Sequence, residues 1–251
     1  MTKDLFIITG ASRGMGLAMA EQLLSSNHVL LCISRQTNPT LQDKAAIAGC
    51  TLTQWSHDLA DSVGTAAALA IWLGALGPSD WRTATLINNA GVIPAITPLR
   101  HSAAEALVQA LRVGLEAPMA LTAAFLNATA GWPAQRKVLN VSSGLGRRAM
   151  ASQAAYCAAK AGMDHFTRCL ALDEASQPNG ALVCSLAPGV IDTDMQVQLR
   201  SANPTSFPDR DSFQQLKDTS NLSTPHDAAA RVLAYLSKND FGSVPVADVR
   251  G

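Results

Sequence analysis

The feature that most constrains the fold is a regular alternation of short apolar segments with segments of helical periodicity. The apolar segments, rich in strand-forming residues, are 5–9, 29–34, 51–55, 85–88, 137–142, 181–186 and 243–246. Helical periodicity covers 14–26, 39–48, 61–76, 102–130 with a break near Pro118, 152–175 and 224–238. Strands that alternate with helices need crossover connections, and strands that are apolar throughout are covered on both faces. The pattern therefore predicts a single α/β domain over 1–251, a doubly wound seven-stranded parallel sheet.

Charge and cysteine usage restrict the possible partners. The 19 basic residues balance 19 acidic ones, which argues against a nucleic-acid or anionic-membrane surface. The five cysteines are scattered and odd in number, which is typical of reduced thiols. The five histidines share no ligand spacing, so we expect no metal site. The N-terminal segment lacks the regions of a signal peptide, and the longest apolar stretch is too short to span a membrane. We expect a cytoplasmic protein that acts on small molecules.

One segment interrupts the alternation. Residues 197–223 are polar and contain two prolines. So long an irregular insertion in one domain is typical of a mobile binding loop or of a disordered segment. We expect a substrate loop at about 194–223.

A glycine-rich turn follows the first predicted strand. The sequence "TGASRGMG" places Gly10, Gly14 and Gly16 where the next helix begins. Glycines allow close backbone approach, and a helix N-terminus offers free N–H groups to a pyrophosphate. The spacing differs from Gly-x-Gly-x-x-Gly. Its place after the first strand nevertheless indicates a dinucleotide site and a Rossmann fold.

The end of the second predicted strand indicates which dinucleotide is bound. An enzyme that binds NAD usually has an acidic residue here to bind the ribose hydroxyl. This chain has Ser34 and Arg35 instead, and Arg13 lies in the glycine turn. Because guanidinium groups match phosphate oxygens in two-point geometry, we predict NADP(H).

An alanine-rich segment, "QAAYCAAKAG", contains Tyr156 and, four residues later, Lys160. Residues at i and i+4 lie on one helix face, so the phenol and the ammonium project together. Together with "TGASRGMG", "HDLAD", "NNAG", Ser143 and "PGVIDTDM", this pair resembles, in order, the short-chain dehydrogenase/reductases. The tail "LSKNDFGSVPVADV" and the segment 187–196 are similar to the sepiapterin reductase branch, whose bacterial relatives reduce aromatic diketones.

The resemblance implies an NADPH-dependent carbonyl reductase with Ser143, Tyr156 and Lys160 as catalytic residues. It implies substrate contacts from Ser143, Tyr156, Gly189 and Asp248. The implied cofactor residues are Gly10, Ser12, Arg13, Gly14, Met15, Gly16, Ser34, Arg35, Asp58, Leu59, Asn89, Ala90, Gly91, Tyr156, Lys160, Pro188, Gly189, Ile191 and Thr193. The family pairs helices corresponding to 118–130 and 152–175 across a dimer axis, so we expect a homo-oligomer, either a dimer or a tetramer.

The chemistry of the side chains indicates how Ser143, Tyr156 and Lys160 would act. A carbonyl that accepts a hydride also needs a proton at oxygen, and Tyr156 is the candidate donor. An ammonium about 4 Å from the phenol contributes roughly 4 kcal/mol, or about three pKa units. We therefore predict that Lys160 brings the pKa of Tyr156 close to 7, while Ser143 donates a second hydrogen bond to the carbonyl.

Two positions leave alternatives open. Gly114 stands where the family has an asparagine that retains a relay water; a water could fill the missing volume, and we predict that Gly114→Asn keeps or gains turnover. Asp248, seven residues after Phe241, would anchor a pterin ring, but the aromatic residues of that tail are absent. A vicinal dicarbonyl is therefore the broader substrate prediction. The alternatives are a 3-oxoacyl or sugar carbonyl substrate, or a catalytically silent NADP(H) sensor.

Overall fold

A computed structural model describes residues 2–78 and 81–250. In this part of the chain seven parallel strands form one sheet in the order β3-β2-β1-β4-β5-β6-β7. The strands are β1 (Lys3–Thr9), β2 (His28–Ser34), β3 (Thr51–Ser56), β4 (Trp81–Asn88), β5 (Gln135–Val141), β6 (Leu182–Ala187) and β7 (Val246–Asp248). The order reverses between β1 and β4, where a doubly wound sheet opens a crevice at the carboxyl ends of its strands. The predicted fold class is confirmed.

The helices connect these strands as crossovers. They are α1 (Gly14–Gln22), α2 (Pro39–Ile47), α3 (Ser62–Leu76), α4 (Ala104–Leu111), α5 (Ala117–Ala128), α6 (Ala154–Ala175), α7 (Asp194–Arg200), α8 (Arg210–Asp218) and α9 (Pro225–Leu236). Among the described residues no helix is both long and apolar enough to span a bilayer.

The sheet separates two hydrophobic cores. From β1, Ile8 packs with Met19 and Val232 on the face covered by α1 and α9. Its neighbour Ile7 packs with Phe125 on the face covered by α3 and α5. Successive side chains of a strand point to opposite faces, so both faces need apolar residues. This explains the unbroken apolar runs in the sequence.

The helical segment over 102–130 is interrupted a few residues before Pro118, where the sequence predicted the break. Helix α4 passes into a π-helical turn over Arg112–Glu116, and α5 then begins with Pro118 in its first turn. Proline has no N–H to continue the hydrogen bonds of an α-helix, and the π-helical turn directly before it accommodates this interruption. The break therefore lies at Gly114, where a single wide turn is inserted.

The expectation of an irregular segment over 197–223 is wrong in part. It contains the end of α7 and all of α8. Phe207 is fully buried and stacks on Phe213, with ring centroids 5.7 Å apart. Lys217 Nζ donates to Asp192 at 2.6 Å, which fastens α8 to the turn after β6. Because the segment is polar, its composition did not predict these helices, which a few contacts hold in place. The last strand also differs: it was predicted at 243–246 but is β7, which pairs with β6 from Val246 onward.

Candidate active site

One cavity of about 1310 Å³ opens at the carboxyl ends of the strands. All predicted catalytic and cofactor residues line it. From the glycine turn and the ends of β2 and β3 these are Gly10, Ser12, Arg13, Gly14, Met15, Gly16, Ser34, Arg35, Asp58 and Leu59. From the turns after β4, β5 and β6 and from α6 they are Asn89, Ala90, Gly91, Ser143, Tyr156, Lys160, Pro188, Gly189, Ile191 and Thr193.

The glycine turn is seated against the turn that follows β4. Asn89 Nδ2 donates to the carbonyl of Thr9 at 2.9 Å, and the Asn89 amide donates to Thr9 Oγ1 at 2.9 Å. A Cβ on Gly10 would lie 2.9 Å from the Cα of Ala90 in the turn after β4, and a Cβ on Gly16 would overlap the carbonyl oxygen of Gly10. Gly10 itself has φ +69°, in the left-handed region. Only glycine therefore allows this close packing of the two turns.

The residues at this end of the cavity fit a dinucleotide. No side chain caps α1, whose N-cap residue is Arg13, so its first N–H groups are available to a pyrophosphate. Ser34 Oγ is buried and has no hydrogen-bond partner among the described residues. Arg35 lines the cavity next to it, whereas the Arg13 guanidinium pairs with Asp194 of α7.

The predicted catalytic residues lie close together. Helix α6 begins at Ala154, so Tyr156 and Lys160 are on its first turns and on one face. The Lys160 ammonium is 5.8 Å from the centre of the Tyr156 ring and donates to the Val141 carbonyl at 2.7 Å. Ser143 Oγ accepts the Leu145 amide at 3.1 Å, and the Ser143 side chain is also hydrogen-bonded to Tyr156.

The predicted pKa of Tyr156 is wrong. Burial raises the pKa of its phenol to about 12, and a hydrogen bond from Ser143 offsets only part of this increase. Burial also lowers the pKa of Lys160 to about 8, while the carboxylate of Asp164 opposes that decrease. The simple Coulomb estimate omitted the cost of removing both groups from water. At pH 7 the tyrosine is a neutral proton donor beside a largely protonated lysine.

Gly114 is buried in the π-helical turn of Arg112–Glu116. A Cβ at this position would lie 3.1 Å from the Cβ of Ala159, which precedes Lys160 on α6. A side chain at this position would therefore require α6 to shift slightly at Ala159. The turnover of Gly114→Asn stays a prediction, and this contact favours a small loss.

Asp248 does not line the cavity, contrary to its predicted role as a substrate residue. Arg250 donates from Nε to Asp248 Oδ1 at 2.8 Å and from Nη2 to Oδ2 at 2.7 Å. Hydrogen bonds from Arg250 hold the pKa of Asp248 below its usual range. The expected negative charge is thus replaced at the cavity by a basic residue, because Arg250 lines the cavity and both carboxylate oxygens of Asp248 accept from it.

The sequence analysis missed several residues at the substrate end of the cavity. They come from α4, from the turn after Ser143, from α7 and α8 and from the C-terminal segment, and include Gln109, Leu145, Arg148, Gln196, Leu199, Phe213 and Arg250. No motif marks these positions, because distant segments bring them together. Asp164, behind the site, could have been found, since it follows Lys160 at the same four-residue interval that separates Tyr156 from Lys160.

Comparisons with known proteins agree with this geometry. The short chain dehydrogenase family model matches residues 4–204. The chain is 32% identical over 235 residues to benzil reductase ((S)-benzoin forming) from Bacillus cereus, covering 94% of each protein. It is 30% identical over 247 residues to sepiapterin reductase from Rattus norvegicus, covering 94% of this chain and 92% of that protein.

A solved structure of a short-chain dehydrogenase/reductase from Burkholderia vietnamiensis is 34% identical, with a TM-score of 0.66. The match covers 100% of this chain and 98% of that one. These similarities confirm the resemblance inferred from the motifs. The chain belongs to the short-chain dehydrogenase/reductase family of oxidoreductases, whose members use a nicotinamide cofactor.

Proposed function

We propose that this protein is an NADPH-dependent carbonyl reductase that acts on ketones, in particular vicinal dicarbonyl compounds. The observation that carries the proposal is the cavity itself, in which Ser143, Tyr156 and Lys160 face the same space as the glycine turn. One wall can hold a dinucleotide, and the other carries a proton donor. A hydride for the carbonyl carbon and a proton for the carbonyl oxygen can therefore be supplied within one cavity.

The protonation state of each side chain determines its role in the reaction. When bound, the cofactor supplies the hydride. Tyr156, kept neutral by burial, donates its proton to the developing alkoxide, and Ser143 donates a hydrogen bond to the same oxygen. Lys160 places a positive charge beside the tyrosinate that remains. A phenol pKa of about 12 keeps Tyr156 in the protonated form that carbonyl reduction needs, whereas the tyrosinate base that alcohol oxidation needs is scarcely populated at neutral pH.

Three features support NADPH over NADH. Arg35 and Arg13 are at the end of the cavity where β2 ends, and the buried Ser34 hydroxyl there has no partner among the described residues. Two guanidinium groups and a hydroxyl are suited to a 2′-phosphate. Arg13 would have to exchange its carboxylate partner, Asp194, for that phosphate.

The substrate class is supported by the two relatives, since the name of one specifies benzil and that of the other sepiapterin. Benzil is a vicinal diketone, and sepiapterin carries a ketone beside a hydroxyl-bearing carbon. The Asp248 contact expected for a pterin has little support, because Arg250 occupies that carboxylate. We therefore propose an aromatic or aliphatic vicinal diketone as the substrate rather than a pterin.

The test follows NADPH absorbance with a panel of diketones, pterins, 3-oxoacyl esters and keto sugars. We expect turnover with a vicinal diketone and a loss of about 10²- to 10⁴-fold in Tyr156→Phe. Tyr235→Phe is the matched control, because Tyr235 is the only other tyrosine and lies outside the cavity lining. If the wild-type protein bound NADPH but reduced no carbonyl, the result would favour an NADP(H) sensor.

We also propose a homo-oligomer and a cytoplasmic location. On the helices predicted to pair, Met119 of α5 is 43% exposed and Leu172 of α6 is 76% exposed, which supports burial by a second copy. All five cysteines, each within the described residues, are free thiols, as suits a reducing compartment. Light scattering of the purified protein tests the first proposal.

A further inference from the structure

A buried carboxylate lies directly behind the catalytic residues. Asp164 is four residues after Lys160 and eight after Tyr156, so the three residues occupy one face of α6. Its side chain is 2% exposed and does not line the cavity. A carboxylate in such a position needs partners that offset its loss of solvation.

Both oxygens of Asp164 have a partner. Ser185 Oγ of β6 donates to Oδ1 at 2.6 Å, and Arg147 Nε donates to Oδ2 at 3.1 Å. Arg147 Nη2 also donates to the carbonyl of Ala247 in β7 at 2.8 Å. The ion pair between Asp164 and Arg147 therefore connects α6, strands β6 and β7 and the turn that begins at Ser143.

That turn is packed tightly onto α6. A Cβ on Gly146 would lie 2.9 Å from the carbonyl oxygen of Lys160 and 3.0 Å from Asp164 Oδ2. Within the turn, the Leu145 amide donates to Ser143 Oγ and the Gly146 amide donates to the Ser143 carbonyl at 2.9 Å. Any movement of the turn would therefore move the Ser143 hydroxyl relative to the helix that carries Tyr156.

We propose that Asp164, acting through Arg147, is a positioning residue for carbonyl reduction. It holds the turn that begins at Ser143 where the Ser143 and Tyr156 hydroxyls reach the same carbonyl oxygen. This inference rests on the proposed reductase function.

The same carboxylate faces Lys160 from the next turn of the helix and opposes the decrease that burial causes in the lysine pKa. Tyr156 also faces Lys160 from α6, the Val141 carbonyl of β5 accepts from its ammonium, and the backbone of Gly91 lies beside it. Loss of the Asp164 charge should thus lower the lysine pKa further.

The test compares Asp164→Asn with Asp4→Asn. Asp4 is a matched control, since it is also buried and accepts from an arginine, Arg82, and from the hydroxyl of Thr83, but at the amino ends of the strands. For Asp164→Asn we expect kcat to fall by about 10- to 100-fold, as for a displaced catalytic group. The KM for NADPH should stay within about twofold of the wild-type value. The alkaline limb of the pH–rate profile should move to lower pH.

Amide hydrogen exchange of residues 144–148 gives a readout that does not need turnover. Asp164→Asn should accelerate exchange there, while Asp4→Asn should lower the Tm without changing this exchange, kcat or the pH profile. Arg147→Lys keeps a cation but cannot reach both acceptors, so it should have the same effects to a smaller degree.

Equal behaviour of the two aspartate variants would overturn the inference. So would a loss of kcat in Asp164→Asn with unchanged exchange and an unchanged pH profile. If wild-type protein reduced no carbonyl, the proposed function would fail, and the exchange experiment alone would decide whether Asp164 holds the turn.

Discussion

The amino and carboxyl edges of the sheet contain the same kind of charged cluster, an aspartate held by an arginine and a hydroxyl, with a lysine nearby. At the amino edge, burial raises the pKa of Asp4, but hydrogen bonds from Arg82 and Thr83, together with the positive charge of Arg82 and the nearby His28, leave it below its usual value. Lys137 in β5 donates to the Leu236 carbonyl at 2.9 Å, and burial lowers its pKa. These groups bind one another and the backbone.

At the carboxyl edge, Asp164, Arg147 and Lys160 repeat this arrangement, but Lys160 also lines a cavity and lies beside a tyrosine. The comparison shows that buried charge by itself does not indicate function. What differs is access to a cavity at the end of the sheet where the strand order reverses. Substitutions at the carboxyl edge should therefore affect catalysis, and matched substitutions at the amino edge should affect only stability.

The largest expected difference between the two edges is in kcat, when the lysine at each edge is replaced. Lys160→Met should lower kcat by about 10²- to 10³-fold, because the positive charge beside the Tyr156 tyrosinate is lost. Lys137→Met should leave kcat unchanged. Steady-state kinetics of both variants measure the difference, and equal losses would contradict the distinction between the edges.

The same lysine should make stability depend on pH. The pKa of Lys160 falls from 10.5 to about 8 on folding. Between these values the unfolded chain binds a proton that the folded protein does not, so the free energy of unfolding rises with pH by on the order of 3 kcal/mol. Below pH 8, Lys160→Met should be more stable than wild type, and the difference should vanish above about pH 10.5. Urea denaturation of both proteins across this pH range measures the difference in the free energy of unfolding. The cysteines titrate in the same range, but they do so in both proteins, so their contribution cancels in the difference.

A smaller difference between the edges is expected in the KM for NADPH when arginines are replaced. Arg35→Gln should raise the KM for NADPH by about 10- to 100-fold and leave that for NADH unchanged, since one charge-assisted bond contributes about 1.5–3 kcal/mol. Arg13→Gln should have a smaller effect, because its guanidinium must first leave Asp194. Arg82→Gln at the amino edge is the control. A loss of NADH and NADPH affinity in equal measure would argue against a 2′-phosphate site.

The smallest effect is expected at Gly114. Because Ala159 approaches within contact distance, Gly114→Asn should reduce turnover by a few-fold, and Gly114→Asn combined with Ala159→Gly should restore or exceed the wild-type value. Gly74 in α3 has open space around it, so Gly74→Asn should leave turnover unchanged. Failure of the double variant to recover would show that the asparagine is not compatible with this site.

Most of the fold could be predicted because its signals are local. Apolar runs and helical periodicity marked the strands and most helices, and the glycine turn marked the crevice. The helices over 194–218 escaped prediction, since a few contacts such as Phe207 against Phe213 hold them. The pairing of Asp248 with Arg250 and the raised pKa of Tyr156 were not predicted either. Both depend on which groups surround a side chain, and residue types alone do not specify this.

The sequence by itself determined the α/β architecture, the family and the predicted catalytic and cofactor residues, which line the cavity. These follow from periodicity and from motifs whose spacing is set by backbone geometry. Only the tertiary structure decided the protonation of Tyr156, the pairing of Asp248 with Arg250 and the position of Asp164 behind Lys160. The physical reason is that desolvation and ion pairing depend on distances between segments far apart in the chain, which are defined only after the sheet and its helices have packed.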